Sequence, residues 1–203
     1  MENFKPVKSP IVSGTKLSKT DEGKYVDATT YKQMEGSLMY LTVTRPDIVF
    51  AVSLISRFME KPVEKHLMAA KRILRYVEGT IEYGIYYKRY EKEQLLVYTD
   101  SDYAGDLDDR KSTSGYMFLL GSGAISWCSR KQPVVTLSTT EAKFVAATVC
   151  VSQGIWLGRI LSELGVSLQK RMIVFCDNTS TIKLSKTQSC TGEASTLMCA
   201  FIS

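Results

Sequence analysis

One histidine and five scattered cysteines are scarce in this 203-residue sequence, and each scarcity excludes something. Five thiols cannot all pair, and Cys128, Cys150, Cys176, Cys190 and Cys199 contain no CxxC spacing. A disulfide framework and a zinc site are therefore both disfavoured, and reduced thiols are the plain reading. The lone His66 has no Cys, His or carboxylate at ligand spacing, so it is expected to pack or sit on the surface rather than bind metal or act as a base. The N-terminal MENFKPVKSP lacks the apolar run of a signal peptide, and no stretch approaches the roughly 20 apolar residues of a membrane helix. The expectation is an intracellular protein, cytoplasmic or nuclear, neither secreted nor in contact with a membrane.

What is present is ordinary for a packed domain: 44% hydrophobic and 23% charged residues, in a chain long enough for one full domain plus a smaller helical attachment. The net charge of +5 suits a phosphate-bearing partner, although charge alone argues for one only modestly. Residues 1–24, rich in Lys, Ser, Pro and Gly, read as an extended or mobile lead-in. From Tyr31 to Val77 apolar residues recur at spacings of three and four, and Pro46 and Pro62 cut that stretch into three helices. The third carries Leu67, Ala70, Ile73, Leu74 and Val77 on one face and Lys65, Lys71, Arg72 and Arg75 largely elsewhere. Those cations could contact phosphate or form a solvated face, and the solvated reading is preferred. The apolar stripes of these helices need a partner surface, so they should pack as a small unit.

After Gly79 the texture is that of strands: Tyr83 to Tyr87, Leu95 to Thr99, Gly115 to Leu120 and Ala124 to Cys128, the last two joined through Gly121-Ser122-Gly123. Ser138-Thr139-Thr140 can cap a helix running to Leu164 and ended by Gly165. A strand from Met172 to Cys176 and a short helix from Asn178 to Lys186 complete an α/β layout with a mixed sheet. Two apolar strands end in aspartate, at Asp100 and Asp177. If those strands are adjacent and parallel, both carboxylates meet at one sheet edge, where hard oxygen ligands suit Mg²⁺ or Mn²⁺. The alternative is that each aspartate caps a turn or the next helix.

The text YTDSDYAGDLDDRKSTSGYMFLLGSGAISWCSRKQPVVTLSTTEAKFVAA, followed by IVFCDNTSTIKLSK, resembles the RNase H domain of copia-type retrotransposon Pol polyproteins. The upstream text YKQMEGSLMYLTVTRPDIVFAVSLISRFMEKPVEKHLMAAKRILRYVEGT resembles the reverse-transcriptase thumb and connection that precede it. The resemblance implies an RNase H-like α/β domain over residues 92–188, a helical reverse-transcriptase remnant over 25–90 and a divergent tail over 189–203. It further implies Asp100 and Asp177 as catalytic, metal-binding carboxylates, an RNA–DNA hybrid or other nucleic acid as partner together with other parts of a Pol polyprotein, and Mg²⁺ or Mn²⁺ as cofactor. Arg110, Lys111 and Ser112 then become candidates for contact with hybrid backbone, as do Lys131 and Gln132, with a solvated hairpin entry as the bland alternative. No aromatic-Val-Asp-Asp palm motif lies upstream, so polymerase activity is not implied.

Two departures limit what carries over. Lys143, in Lys143-Phe144-Val145-Ala146, fills the slot where the family has a glutamate ligand, and Glu141 lies two helical positions away on the wrong side. The sequence also ends in CTGEASTLMCAFIS, without the basic, histidine-bearing segment, further acidic position and last strand of the family; Glu193 is at best an accidental replacement. Weak metal binding and an impaired ribonuclease are the expectation. A working ribonuclease H, cleaving the RNA strand by two-metal hydrolysis, is the alternative.

Overall fold

A computed structural model describes residues 5–89, 94–166, 171–188 and 198–202. The chain divides into two units, Met1–Ile85 with Asp106–Arg110 and Tyr86–Gly105 with Lys111–Ser203.

In the first unit, α1 (Ala28–Leu41) starts at Asp27, whose carboxylate accepts from the Thr30 amide at 2.8 Å and so satisfies an orphan N–H of the first turn. Pro46 opens a 3₁₀ turn into α2 (Val49–Ile55), and α3 (Glu64–Glu78) follows Pro62 and Val63. The stripes predicted from spacing meet in one core of Tyr31, Leu38, Ile48, Val52, Ile55, Ala70 and Ile73. The residues expected to be a mobile lead-in belong to this unit. Leu17 is buried in the core, Lys5 O accepts from Arg75 Nε at 2.8 Å, and Ser9 Oγ accepts from Arg72 at 3.1 Å. The basic face of α3 is spent partly on these bonds and on the Lys65–Asp21 ion pair at 2.6 Å. That favours a structural and solvated face over a phosphate-contacting one.

His66 is fully buried, its ring stacked on Phe58 with centroids 4.0 Å apart. Nδ1 accepts from the Val63 amide at 3.2 Å, the part a Glu or Gln side chain plays at the third position of a capping box. With Nδ1 an acceptor, Nε2 carries the proton and donates to Ser18 O at 3.1 Å.

The second unit is a mixed sheet with flanking helices. Its strands are β1 (Leu95–Ser101), β2 (Thr113–Leu120), β3 (Gly123–Lys131), β4 (Arg171–Phe175) and β5 (Met198–Ile202), in the spatial order β3-β2-β1-β4-β5. β1 and β2, and β2 and β3, are antiparallel hairpin partners; β1 with β4 and β4 with β5 are parallel, joined through α4 (Thr139–Glu163) and α5 (Thr179–Gln188). Alternate residues of β1, Leu95 and Val97, join Phe118, Met172, Val174, Cys150 and Leu161 in the core between sheet and α4. The expected strand from Tyr83 to Tyr87 does not form. Its end is anchored by side chains instead, Tyr87 Oη donating to Ala124 O at 2.7 Å and Ser122 Oγ accepting from the Lys88 amide at 2.9 Å, so no ladder is needed. The last strand, expected to be missing, is supplied by Met198–Ile202, an apolar run that takes up the free edge of β4. Glu193 and the rest of residues 189–197 lie outside the described residues.

Helix α4 is long and apolar enough to cross a membrane by length and composition, which corrects the expectation that no stretch comes near that limit. Its buried side, Ala142, Ala146, Cys150, Gly154, Gly158 and Leu161, is small-residue rich and lies on the sheet. A Cβ on Gly154 would fall 2.4 Å from Met172 Sδ and 3.1 Å from Phe118 Cε1, so glycine there sets how closely the helix approaches β2 and β4.

Two outcomes follow. Gly154→Val overpacks this contact and should lower unfolding free energy by about 1–3 kcal/mol, read as a lower denaturant midpoint; an unchanged midpoint would mean the helix stands off further. Burial pushes the His66 imidazole below its ordinary value, only partly opposed by Ser18 and Asp21. The folded state therefore prefers the neutral ring, its contribution is complete above the unfolded value of about 6.5, and it is lost as pH falls below that. Melting of the first unit should drop from about pH 7.5 to about pH 5.5, and His66→Gln should flatten that dependence.

Candidate functional site

Parallel pairing of β1 with β4 aligns Leu96 with Ile173, Val97 with Val174 and Tyr98 with Phe175. The Tyr98 and Phe175 rings stack with centroids 4.9 Å apart, and two residues further along each chain stand Asp100 and Asp177. The two aspartates thus reach one edge of the sheet, as their positions at the ends of apolar strands suggested. Their side chains are 71% and 67% exposed, whereas Lys143, on the second turn of α4, is 17% exposed.

The Lys143 ammonium lies between them. Nζ is 2.9 Å from Asp100 Oδ1 and 2.5 Å from Asp177 Oδ1. Burial pulls the Lys143 amine down, but the hydrogen bonds to Asp177 and Asp100 outweigh it, and its pKa is held above the ordinary lysine value. The site therefore keeps a fixed positive charge at neutral pH.

The turn that carries Lys143 is built locally. Ser138 Oγ accepts from the Glu141 amide at 3.1 Å and Glu141 Oε2 accepts from the Leu137 amide at 2.7 Å, a reciprocal cap that also occupies the nearest alternative carboxylate. Gln132, taken from sequence as a candidate backbone contact, is buried instead. Its Nε2 donates to Ala142 O at 2.9 Å, Ser114 Oγ at 2.8 Å and Ser101 Oγ at 3.2 Å. Thr181 Oγ1 donates to Thr140 O at 3.1 Å, and Asn178 Oδ1 accepts from the Thr181 amide at 2.8 Å to cap α5. Neither Gln132 nor Thr181 has a periodic or motif signal that would mark it as a brace.

The basic candidates are placed unevenly. Arg110 is exposed, at φ 57°, and Lys111 and Lys131 are half-buried. Ser112 is fully buried, its Oγ accepting from the Ala104 amide at 3.0 Å and meeting Thr136 Oγ1 at 3.4 Å, so it holds the turn and cannot face a nucleic-acid backbone. That corrects its reading as a contact.

The donor set does not fit the divalent metal that the sequence resemblance implies. Both facing Oδ1 atoms are taken by an ammonium, and among the described residues no group of three or more His, Cys, Asp or Glu side chains is placed to hold a metal ion. A cation would meet a like charge where it needs a third oxygen ligand.

No family model matches the chain. The retrovirus-related Pol polyprotein from transposon RE1 of Arabidopsis thaliana is 44% identical over 178 residues, covering 88% of this chain and 12% of that polyprotein. The counterpart from transposon TNT 1-94 of Nicotiana tabacum is 46% identical over 193 residues, 92% of this chain and 14% of the relative. A solved structure, LC11-RNase H1 isolated from compost, overlaps 55% of this chain and 85% of that one at 11% identity and a TM-score of 0.31, a likeness too loose to bear on the site. This chain thus spans only 12% and 14% of the length of those two polyproteins. With this identity across most of its residues, the chain is a relative of part of the retrovirus-related Pol polyproteins of copia-type plant transposons.

Proposed function

We propose that this part of the polyprotein acts as an RNase H-like, nucleic-acid-binding module whose hydrolytic centre is impaired. The observation that carries the reading is the Lys143 ammonium, 2.9 Å from Asp100 and 2.5 Å from Asp177, in the space that would have to hold catalytic cations. Phosphoryl transfer needs cationic groups that engage the scissile phosphate and its attacking and leaving oxygens. An ammonium with two of its three hydrogens committed to carboxylates has at most one left for substrate, and its single charge does not replace two divalent cations.

Affinity for nucleic acid is supported by the net charge of +5, by exposed Arg110 and by the context of the related polyproteins. Such binding is electrostatic in origin and should weaken steeply with salt. The partner consistent with the family is an RNA–DNA hybrid.

The purified chain, incubated with a labelled RNA–DNA hybrid and Mn²⁺, should retard the hybrid at low salt and leave it uncut. Asp100→Asn should be indistinguishable from the unmodified chain in that assay. Robust hydrolysis abolished by Asp100→Asn would overturn the proposal and make the chain a working ribonuclease.

A further inference from the structure

We infer that Lys143 is the resident cation of this sheet edge: its ammonium joins the carboxylates of Asp100 and Asp177 and so ties the ends of β1 and β4 to α4 without a divalent ion. The inference rests on the impaired-centre reading and adds a positive role for the residue that impairs it.

The backbone creates the need. Register pairing between β1 and β4 ends at Tyr98 and Phe175, so beyond that point the two strands have no aligned partners. Two carboxylates then stand at the same edge, both within reach of one side-chain nitrogen, and like charges so placed repel each other. A cation between them removes the conflict. Lys143 supplies it from α4, and its side chain is the least exposed of the three, at 17% against 71% and 67% for its partners.

The ammonium is also held in place. Gln132 binds the carbonyl of Ala142, the residue before Lys143, and at the same time the hydroxyl of Ser101, the residue after Asp100. Thr181, on the helix that follows Asp177, binds the carbonyl of Thr140 on the same turn of α4. Each partner of Lys143 is thus tied through a neighbour to the turn that bears Lys143. Withdrawing the ammonium would leave that turn where it is and open the space between the two carboxylates. A divalent ion entering the intact edge would face a fixed positive charge, whereas in Lys143→Ala it would find two unpaired carboxylates and no competing cation.

The test is thermal melting in chelator and in Mg²⁺ or Mn²⁺. The unmodified chain should melt at the same temperature in both. Lys143→Ala should melt lower in chelator and recover by several degrees as the cation is added, as expected for an ion that binds only the folded state; Lys143→Ala combined with Asp100→Asn should not recover. Should Lys143→Ala fail to fold, Mn²⁺ line broadening of the Asp100 and Asp177 amide resonances in the unmodified chain decides the matter, and no broadening there is expected. Cation-dependent stabilisation or broadening in the unmodified chain overturns the inference, as does a Lys143→Ala variant that folds with no loss and no recovery. Hybrid cleavage by an unmodified chain whose melting ignores Mn²⁺ would sink the functional reading alone, and a Mn²⁺-stabilised chain that cuts nothing would sink this inference alone.

Discussion

The parallel pairing of β1 with β4 is the constraint on which the site depends. It is short, three aligned residues on each strand, and its reach is extended on the far side from α4 by the stacked Tyr98 and Phe175 rings. Because side chains alternate across a strand, that register sends Asp100 and Asp177 to one side of the edge while Leu95, Val97, Met172 and Val174 go to the core with α4. A slip of one residue would exchange those sets and bury a carboxylate without a partner. The strands' apolar content and the aspartates' position are one fact seen from two sides.

The second constraint is the approach of α4. Its buried side is made of small residues, and Gly154 leaves room for Met172 and Phe118. Close approach at the middle of the helix and the Gln132 and Thr181 bonds at its start together fix where a side chain of the second turn can reach. Lys143 is a long, flexible side chain whose end position would ordinarily be spread over many rotamers. Here a neutralising pair of carboxylates and a partly buried stem reduce it to one place. The ion pairs are exposed on the carboxylate side, so their worth lies in position more than in stability.

Much of this was legible in the sequence. Short apolar runs ending in Asp100 and Asp177, a hydroxyl-rich cap at Ser138 and a terminating Gly165 mark strands and helix through local chemistry, which acts within a few residues. Lys143 in a carboxylate slot announced a charge conflict. What the sequence left open depends on distant partners: Ser112 and Gln132 look like polar surface residues and are buried because Ala104, Thr136, Ser101 and Ala142 present groups that need them. The lead-in resembles a mobile segment by composition, yet Leu17 finds a core and Arg75 binds the Lys5 carbonyl. Tyr83 to Tyr87 has the right residues for a strand, yet its end is held through the Tyr87 hydroxyl to Ala124 O, while Met198–Ile202 pairs along β4.

The central claim is that an ammonium of the chain itself stands where the family resemblance implies a metal. A crystal structure determined from crystals grown with Mn²⁺, with diffraction recorded at the manganese absorption edge, addresses it atom by atom. The account predicts no anomalous peak between Asp100 and Asp177 and Lys143 Nζ within hydrogen-bonding distance of both carboxylates. An anomalous peak coordinated by the two aspartates, with Lys143 turned away into solvent, would contradict it.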